Sequence, residues 1–167
     1  MSEIERIVSL CEDLVLRYKT RNPFLLADRM GIRVVSCPDF KKLEGMYKVI
    51  LGERFVFLNG SLRRRRAGQV LAHELGHDAL HREMAQDSVV QDSFLVDMTL
   101  KPEYEANLFA AQLLVPEEEF CNLLREGLSP EESAMRLKLD PKMGEWKMRI
   151  LQERKKHGAT GEFSEKS

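Results

Sequence analysis

The sequence is poor in cysteine, and its few cysteines are badly placed for cross-links or for a thiolate metal site. Among 167 residues there are three, Cys11, Cys37 and Cys121. Their number is odd and no C-x-x-C pair occurs, so the pattern supports neither a disulfide framework nor a zinc knuckle built on thiolates. We therefore expect the chain to work in a reducing compartment, the cytoplasm.

Long apolar runs and an excess of charge of one sign are also missing. No run approaches the roughly 20 residues that span a bilayer, and the first residues lack the basic and apolar segments of a signal peptide. The 26 Lys and Arg side chains offset 27 Asp and Glu, a formal net charge of −1. This balance gives the whole molecule no attraction to nucleic acid or anionic lipid, so neither is an expected partner.

Apolar spacing and turn residues predict a mixed chain, and the fold class we expect is α+β. A capping box at Ser2 and Glu5 opens the first helix, and Asn22-Pro23 opens a short second helix that ends at Gly31. Strands are predicted at 33–37, 47–51 and 55–58, with a hairpin turn at Gly52-Glu53. Further helices are predicted at 61–81, 103–114, 117–125, 130–137 and 141–154. Residues 82–101 are predicted as a loop with a short strand near 93–96.

One helical segment carries a metal-ligand pattern. His73-Glu74-Leu75-Gly76-His77 is an H-E-x-x-H motif. Positions i and i+4 share a helix face, so two imidazoles can converge on one ion. Zinc lowers the pKa of a bound water to about 7, and Glu74 beside the ion can act as general base. The alternative is a chance pair of helix histidines, which the helical context and the intervening glutamate argue against.

The spacing leaves the third ligand open. His81 continues the i+4 series, but it lies ~12 Å along the helix axis from His73, too far to share one tetrahedral ion. A carboxylate from another helix remains, and Glu103 and Glu105 are the candidates. Glu105 precedes an apolar stripe that would turn its side of the helix inward. Either residue could instead be a solvated acid of a first helical turn.

These motifs resemble those of the ImmA/IrrE-type metallopeptidases of bacteria and their mobile elements. The similarity covers most of the chain, and its most specific part is the run that begins Glu105-Ala106-Asn107 and ends at Pro116. The other matching runs are YKTRNPF at 18–24, GIRV at 31–34, FLN at 57–59 and LAHELGH at 71–77. In the family the glutamate of the Glu-Ala-Asn run is the third zinc ligand, so the resemblance implies Glu105 in that role.

The resemblance also implies a fold, a cofactor and a function. We expect a small zincin-like domain at 1–116, with a short antiparallel sheet packed on the H-E-x-x-H helix, then a helical subdomain at 117–154 and a disordered tail at 155–167. The implied cofactor is Zn2+. The implied function is site-specific proteolysis of a helix-turn-helix repressor of a mobile element or stress regulon. No room precedes the first helix for a helix-turn-helix domain, so the repressor is expected to be a separate protein.

Two other functions compete with proteolysis. The protein could inactivate a repressor by sequestration, with zinc serving structure. It could also bind DNA through the helix pair at 130–154, which has helix-turn-helix proportions. Basic and acidic side chains nearly balance over 129–154, so a packing role is favoured for this pair.

Several surface features are assigned by position. In the run Arg63–Arg66, Arg66 shares the histidine face and is expected to pair with an acid. The other three are expected to face water, or to contact an acidic partner or nucleic acid. Tyr47 and Tyr104 are the candidates for stabilising an oxyanion. The strand at 54–58 could seat an extended peptide if it is a sheet edge, or could lie inside the sheet. The loop 82–101 could cover the cleft as a lid.

Overall fold

The computed structural model describes residues 1–86 and 100–163, and in this part seven helices surround one three-stranded sheet. In these ranges no helix is long and apolar enough to cross a membrane. The predicted strand near 93–96 and most of the proposed lid lie outside the described residues. The elements in chain order are α1 (Glu3–Tyr18), α2 (Pro23–Arg29), β1 (Arg33–Cys37), β2 (Gly45–Ile50), β3 (Glu53–Asn59), α3 (Arg64–Gln86), α4 (Leu100–Leu114), α5 (Glu117–Arg125), α6 (Pro130–Arg136) and α7 (Pro141–Phe163).

Side-chain caps begin three of these helices where the sequence predicted them. The Ser2 hydroxyl accepts from the Glu5 backbone N–H, and the Glu5 carboxylate accepts from that of Ser2. Asn22 caps α2 ahead of Pro23, and Ser129 forms a second reciprocal capping box that opens α6. Each cap satisfies backbone donors that have no partner inside the helix, which explains why these local signals predict helix starts.

The sheet has the order β1-β3-β2, and it is mixed rather than antiparallel as predicted. β2 and β3 pair antiparallel, but β1 and β3 pair parallel. The prediction was wrong because the loop after β1 carries the chain across to the far edge, which leaves β3 in the middle. The hairpin turn is also one residue earlier than predicted. Leu51 and Gly52 occupy its centre, with φ of 51° and 79°, the conformation whose twist suits a two-residue hairpin.

Helix α3, which carries the H-E-x-x-H sequence, packs closely on α4. A Cβ at Gly76 would lie 3.0 Å from the Ala106 Cα and 3.1 Å from the Ala106 carbonyl oxygen. Leu71, Leu75 and Phe109 are fully buried around this crossing. Because glycine has no side chain, it allows the two backbones to approach, and this approach places the start of α4 beside the histidines of α3.

The C-terminal helices share the core of the rest of the molecule. Phe120, Met143 and Ile150 belong to the same buried cluster as the residues of α1 to α4, so the expected boundary near 116 does not divide the core. α7 continues to Phe163, where a disordered tail from 155 was expected. Side-chain pairs hold this extension: the His157 ring lies 3.4 Å from Glu153 on α7 and 3.9 Å from Glu5 on α1.

Candidate metal centre

The two histidines of the H-E-x-x-H motif face each other across one turn of α3. Their Nε2 atoms are 3.1 Å apart. Both side chains are largely buried yet open on one side, with 20% and 16% of their surface exposed for His73 and His77. The helical spacing predicted this convergence, because residues four apart lie on one helix face.

Glu103 of α4 supplies the third donor. One carboxylate oxygen lies 3.0 Å from the His73 Nε2, and the other lies 3.0 Å from the His77 Nε2. Among the described residues, His73, His77 and Glu103 form a group whose donor atoms all lie within 4.8 Å of one another. The side chain of Glu103 is 54% exposed, so the group opens to solvent on the α4 side.

Glu105, the carboxylate that the sequence favoured, is directed elsewhere. It is buried, and its Oε2 lies 2.6 Å from the His81 Nε2. Residues two apart on a helix do not share a face, so α4 can present only one of its two glutamates to the motif histidines. The geometry therefore favours Glu103 over Glu105 as third ligand, the reverse of the sequence-based choice.

The donor set fits a zinc ion. Two ligand atoms at zinc–nitrogen distances of 2.0–2.1 Å and tetrahedral angles lie about 3.3 Å apart, close to the separations of 3.0 to 3.1 Å among these three groups. Two imidazoles and one carboxylate, with a fourth position open, are the ligand set of a catalytic zinc rather than of a closed structural site.

Glu74 lies beside the three donor groups of His73, His77 and Glu103, and it is shielded from solvent. Its carboxyl group is buried, and burial raises its pKa despite the neighbouring histidines and a hydrogen bond from the Tyr47 backbone N–H. A raised pKa makes a carboxylate a stronger base, which suits a group that accepts and returns a proton. The general-base role of Glu74 stays a prediction.

Among the described residues, β2 is an edge strand of the sheet, and this edge lies against Glu74. The Asn59 N–H donates to the Glu44 carbonyl, and the register pairs Gly45 with Leu58. In an antiparallel pair the hydrogen-bonded positions alternate, so the backbone groups of Gly45 and Tyr47 point away from β3. A Cβ at Gly45 would lie 2.5 Å from a Val70 methyl and 3.2 Å from a Glu74 oxygen, so this strand reaches the site only with glycine there. β3, whose position the sequence left open, is interior.

The second ring nitrogen, Nδ1, of both His73 and His77 also has a partner. The His73 Nδ1 lies 2.7 Å from the Asn107 Oδ1, and the His77 Nδ1 lies 3.1 Å from the His81 Nδ1. Sequence reasoning assigned no role to Asn107 or His81. A signal was present for the former, because Asn107 lies four residues after Glu103 and thus on the same face of α4.

The structure gives other contacts to the two candidate oxyanion tyrosines, Tyr47 and Tyr104, whose role stays a prediction. The Tyr47 hydroxyl donates to the buried Asp78 carboxylate at 2.6 Å, and burial followed by this contact raises its pKa. The Arg54 guanidinium also donates to the two carboxylate oxygens of Asp78, at 3.1 and 2.9 Å. The ring of Tyr104 lies 5.8 Å from the Arg149 guanidinium. No oxyanion donor is therefore assigned among these residues.

The arginine run divides as expected. Arg66 contacts Glu44 at 2.6 Å and Asp140 at 3.4 Å, which confirms the predicted acidic pairing. Arg64 lies 4.6 Å from the Phe24 ring, and all four arginines are exposed. The Arg66 contacts tie the residue before β2, the start of α3 and the start of α7 together at one end of the site.

Comparison with known proteins places this geometry in a family context. The family model Peptidase M78, described as the IrrE N-terminal-like domain, matches residues 27–144, a span that includes every residue of the candidate metal centre. The chain is also similar to an uncharacterized immunity region protein 2 of Bacillus phage phi105. The two are 32% identical over 115 residues, which cover 66% of this chain and 69% of the relative.

Proposed function

Because the chain belongs to the ImmA/IrrE family, we propose that it is a zinc-dependent endopeptidase whose metal is held by His73, His77 and Glu103. The observation that carries the proposal is the convergence of these three donors, 3.0 to 3.1 Å apart, beside the buried carboxyl group of Glu74. This arrangement supplies a metal site with an open position and a base at the same point.

The chemistry divides between the metal and Glu74. A zinc ion at such a site supplies Lewis acidity, which polarises a carbonyl oxygen and lowers the pKa of water. Glu74 accepts the proton of the attacking water and returns it to the amine that leaves when the peptide bond breaks. Its burial keeps bulk water from competing for that proton, and the Tyr47 N–H holds its carboxylate in place.

We propose that an extended peptide is seated along the edge of β2 that no other strand of the described residues covers. The outward backbone groups around Gly45 lie next to Glu74, and an extended segment can pair with such an edge by main-chain hydrogen bonds. This gives β2 the role that the sequence analysis considered for the strand at 54–58.

The substrate class that we propose is a helix-turn-helix repressor in the cytoplasm. The family resemblance and the phage immunity region of the relative support a regulator as substrate. Binding of DNA by the chain itself has little support, because two basic side chains of α7 are committed within the molecule: Lys147 and Arg154 both pair with Glu117.

The test compares the wild type with Glu74→Gln. We expect the wild type to bind one zinc and to cut the helix-turn-helix protein encoded beside its gene, while leaving casein largely intact. Glu74→Gln should retain zinc and lose cleavage, because the amide cannot accept the proton. Metal analysis and mass spectrometry of the products measure both.

Three outcomes would contradict the proposal in different ways. Cleavage by Glu74→Gln would remove that residue from the mechanism. Rapid casein digestion with the repressor left intact would indicate a general peptidase. Release of the repressor from DNA without a cut, unchanged in Glu74→Gln, would favour sequestration.

A further inference from the structure

The histidine behind the metal site interrupts the helix that carries it. His81 has φ of −132° and ψ of 24°, outside helical values, and α3 is kinked there. The kink places its ring between His77 on the same helix and Glu105 on α4. Its Nδ1 lies 3.1 Å from the His77 Nδ1, and its Nε2 lies 2.6 Å from the Glu105 Oε2.

Glu105, His81 and His77 form a hydrogen-bonded series, and the carboxylate at one end fixes which ring nitrogens donate and which accept. A carboxylate only accepts, so the His81 Nε2 carries a proton and donates to Glu105. The Nδ1 of a neutral His81 is then an acceptor, and the His77 Nδ1–H donates to it. His77 is thereby left with an unprotonated Nε2, the nitrogen that faces His73 and Glu103.

The setting strengthens these contacts. The side chains of His81 and Glu105 are only 9% and 7% exposed, so water competes little for their hydrogen bonds. The Arg6 guanidinium of α1 lies 3.7 Å from the other Glu105 oxygen and compensates the buried charge.

We propose that His81 and Glu105 are positioning residues, which fix the ring orientation and proton placement of His77 so that its Nε2 can bind zinc. The inference rests on the proposed metal site. Metal-bound histidines depend on such outer partners, whose loss costs about 10–100-fold in metal affinity. Glu105 is thus assigned a function at the centre without being a ligand.

The test measures zinc affinity by chelator competition in matched variants. His81→Leu removes the acceptor for His77, and we expect about 10–100-fold weaker zinc binding. His81→Asn places an amide oxygen near the position of the lost Nδ1, so it should recover most of the affinity. Glu105→Gln still offers an acceptor oxygen and should stay close to wild type, whereas Glu105→Ala should weaken binding.

A double-variant series separates positioning from a general loss of stability. Glu105 contacts His81 and not His77, so it acts on His77 only through His81. Glu105→Ala should therefore have little further effect on zinc affinity once His81→Asn is present. Glu12→Ala is the control. Like Glu105, Glu12 has a carboxylate that joins two helices, α1 and α4, and it accepts from Arg21 and Gln112. It should lower stability and leave zinc affinity unchanged.

The outcomes distinguish this inference from the proposed function. Zinc affinity unchanged in folded His81→Leu, or lost equally in His81→Leu and His81→Asn, would overturn the positioning role and leave the peptidase proposal standing. The expected affinities without cleavage of any substrate would support positioning and reject the peptidase. If His81→Leu does not fold, the Glu105→Gln and Glu105→Ala pair decides. Absence of zinc from the wild type would overturn both.

Discussion

At the scale of single residues, the centre depends on which face of α4 meets α3. Glu103 and Glu105 have the same chemistry and lie two positions apart, yet one faces the two motif histidines and the other faces His81. The proposed ligand, Glu103, and the proposed positioning residue, Glu105, are therefore distinguished by geometry rather than by residue type. A substitution that removes only the charge tells the two roles apart, because a neutral amide is a poor zinc ligand but an adequate hydrogen-bond acceptor.

We predict that Glu103→Gln and Glu105→Gln differ sharply. Glu103→Gln should weaken zinc binding by more than the roughly 100-fold upper range of an outer partner, and it should change the visible spectrum of the cobalt-substituted protein. Glu105→Gln should bind zinc almost as the wild type does, with an unchanged cobalt spectrum. Glu119→Gln, on an exposed helix position, is the control. The reverse pattern would restore Glu105 as the ligand.

At the scale of elements, the site is assembled by two close approaches that glycine allows. Gly76 lets α4 approach α3, and Gly45 lets β2 approach Glu74. The first approach positions Glu103, and the second positions the strand edge. Neither Gly45 nor Gly76 has a positive φ. Glycine is needed at these positions because it has no side chain, not because the backbone conformation is unusual.

We predict that Gly76→Ala weakens both the fold and the metal site. Its Cβ would meet backbone atoms of Ala106 at 3.0 and 3.1 Å, and such overpacking costs about 1–3 kcal/mol. The gain in helix propensity, about 1 kcal/mol, offsets only part of this. Because α4 must shift, zinc affinity should fall as well. Urea denaturation and chelator competition measure the two effects.

Gly158→Ala is the matched control for this substitution. Gly158 also lies in a helix, but a Cβ there would meet no atom within 4 Å. This variant should be neutral or slightly more stable, with unchanged zinc affinity. Equal behaviour of the two alanine variants would show that the α3–α4 approach is not limiting.

At the scale of the whole molecule, a buried polar network fastens the C-terminal helices to the rest. Lys147 of α7 is almost fully buried, and its ammonium group donates to Gln112 of α4 at 2.9 Å and to Glu117 at 3.1 Å. Gln112 in turn donates to Glu12 of α1 at 2.6 Å. Apolar residues of α5 and α7 also join the common core. The helical region at 117–154 is thus built into the domain.

We predict that the protein unfolds in one cooperative transition. Trp146, the single tryptophan, packs against the common core from α7, so its fluorescence reports on the C-terminal helices. Far-UV circular dichroism reports on all helices, and the two urea curves should coincide. An earlier transition by fluorescence would instead indicate the separate subdomain that the sequence suggested.

Local signals in the sequence were sufficient for part of this description. The capping boxes, the proline and asparagine at the start of α2, and the i, i+4 histidines each depend on residues within about one turn. Their physical causes are short-range hydrogen bonds and helix geometry. The predicted starts of α1, α2 and α6 and the convergence of His73 and His77 therefore agree with the structure.

Only the tertiary structure decided the features that depend on packing between distant segments. The parallel pairing of β1 with β3, the choice of Glu103 over Glu105, the contact of His81 with Glu105 and the shared core of α5 to α7 all join residues far apart in the chain. Residue type and local spacing are the same for either glutamate of α4. What separates them is the rotation of α4 about its axis, which is set by the close contact at Gly76 and by the side chains packed around it.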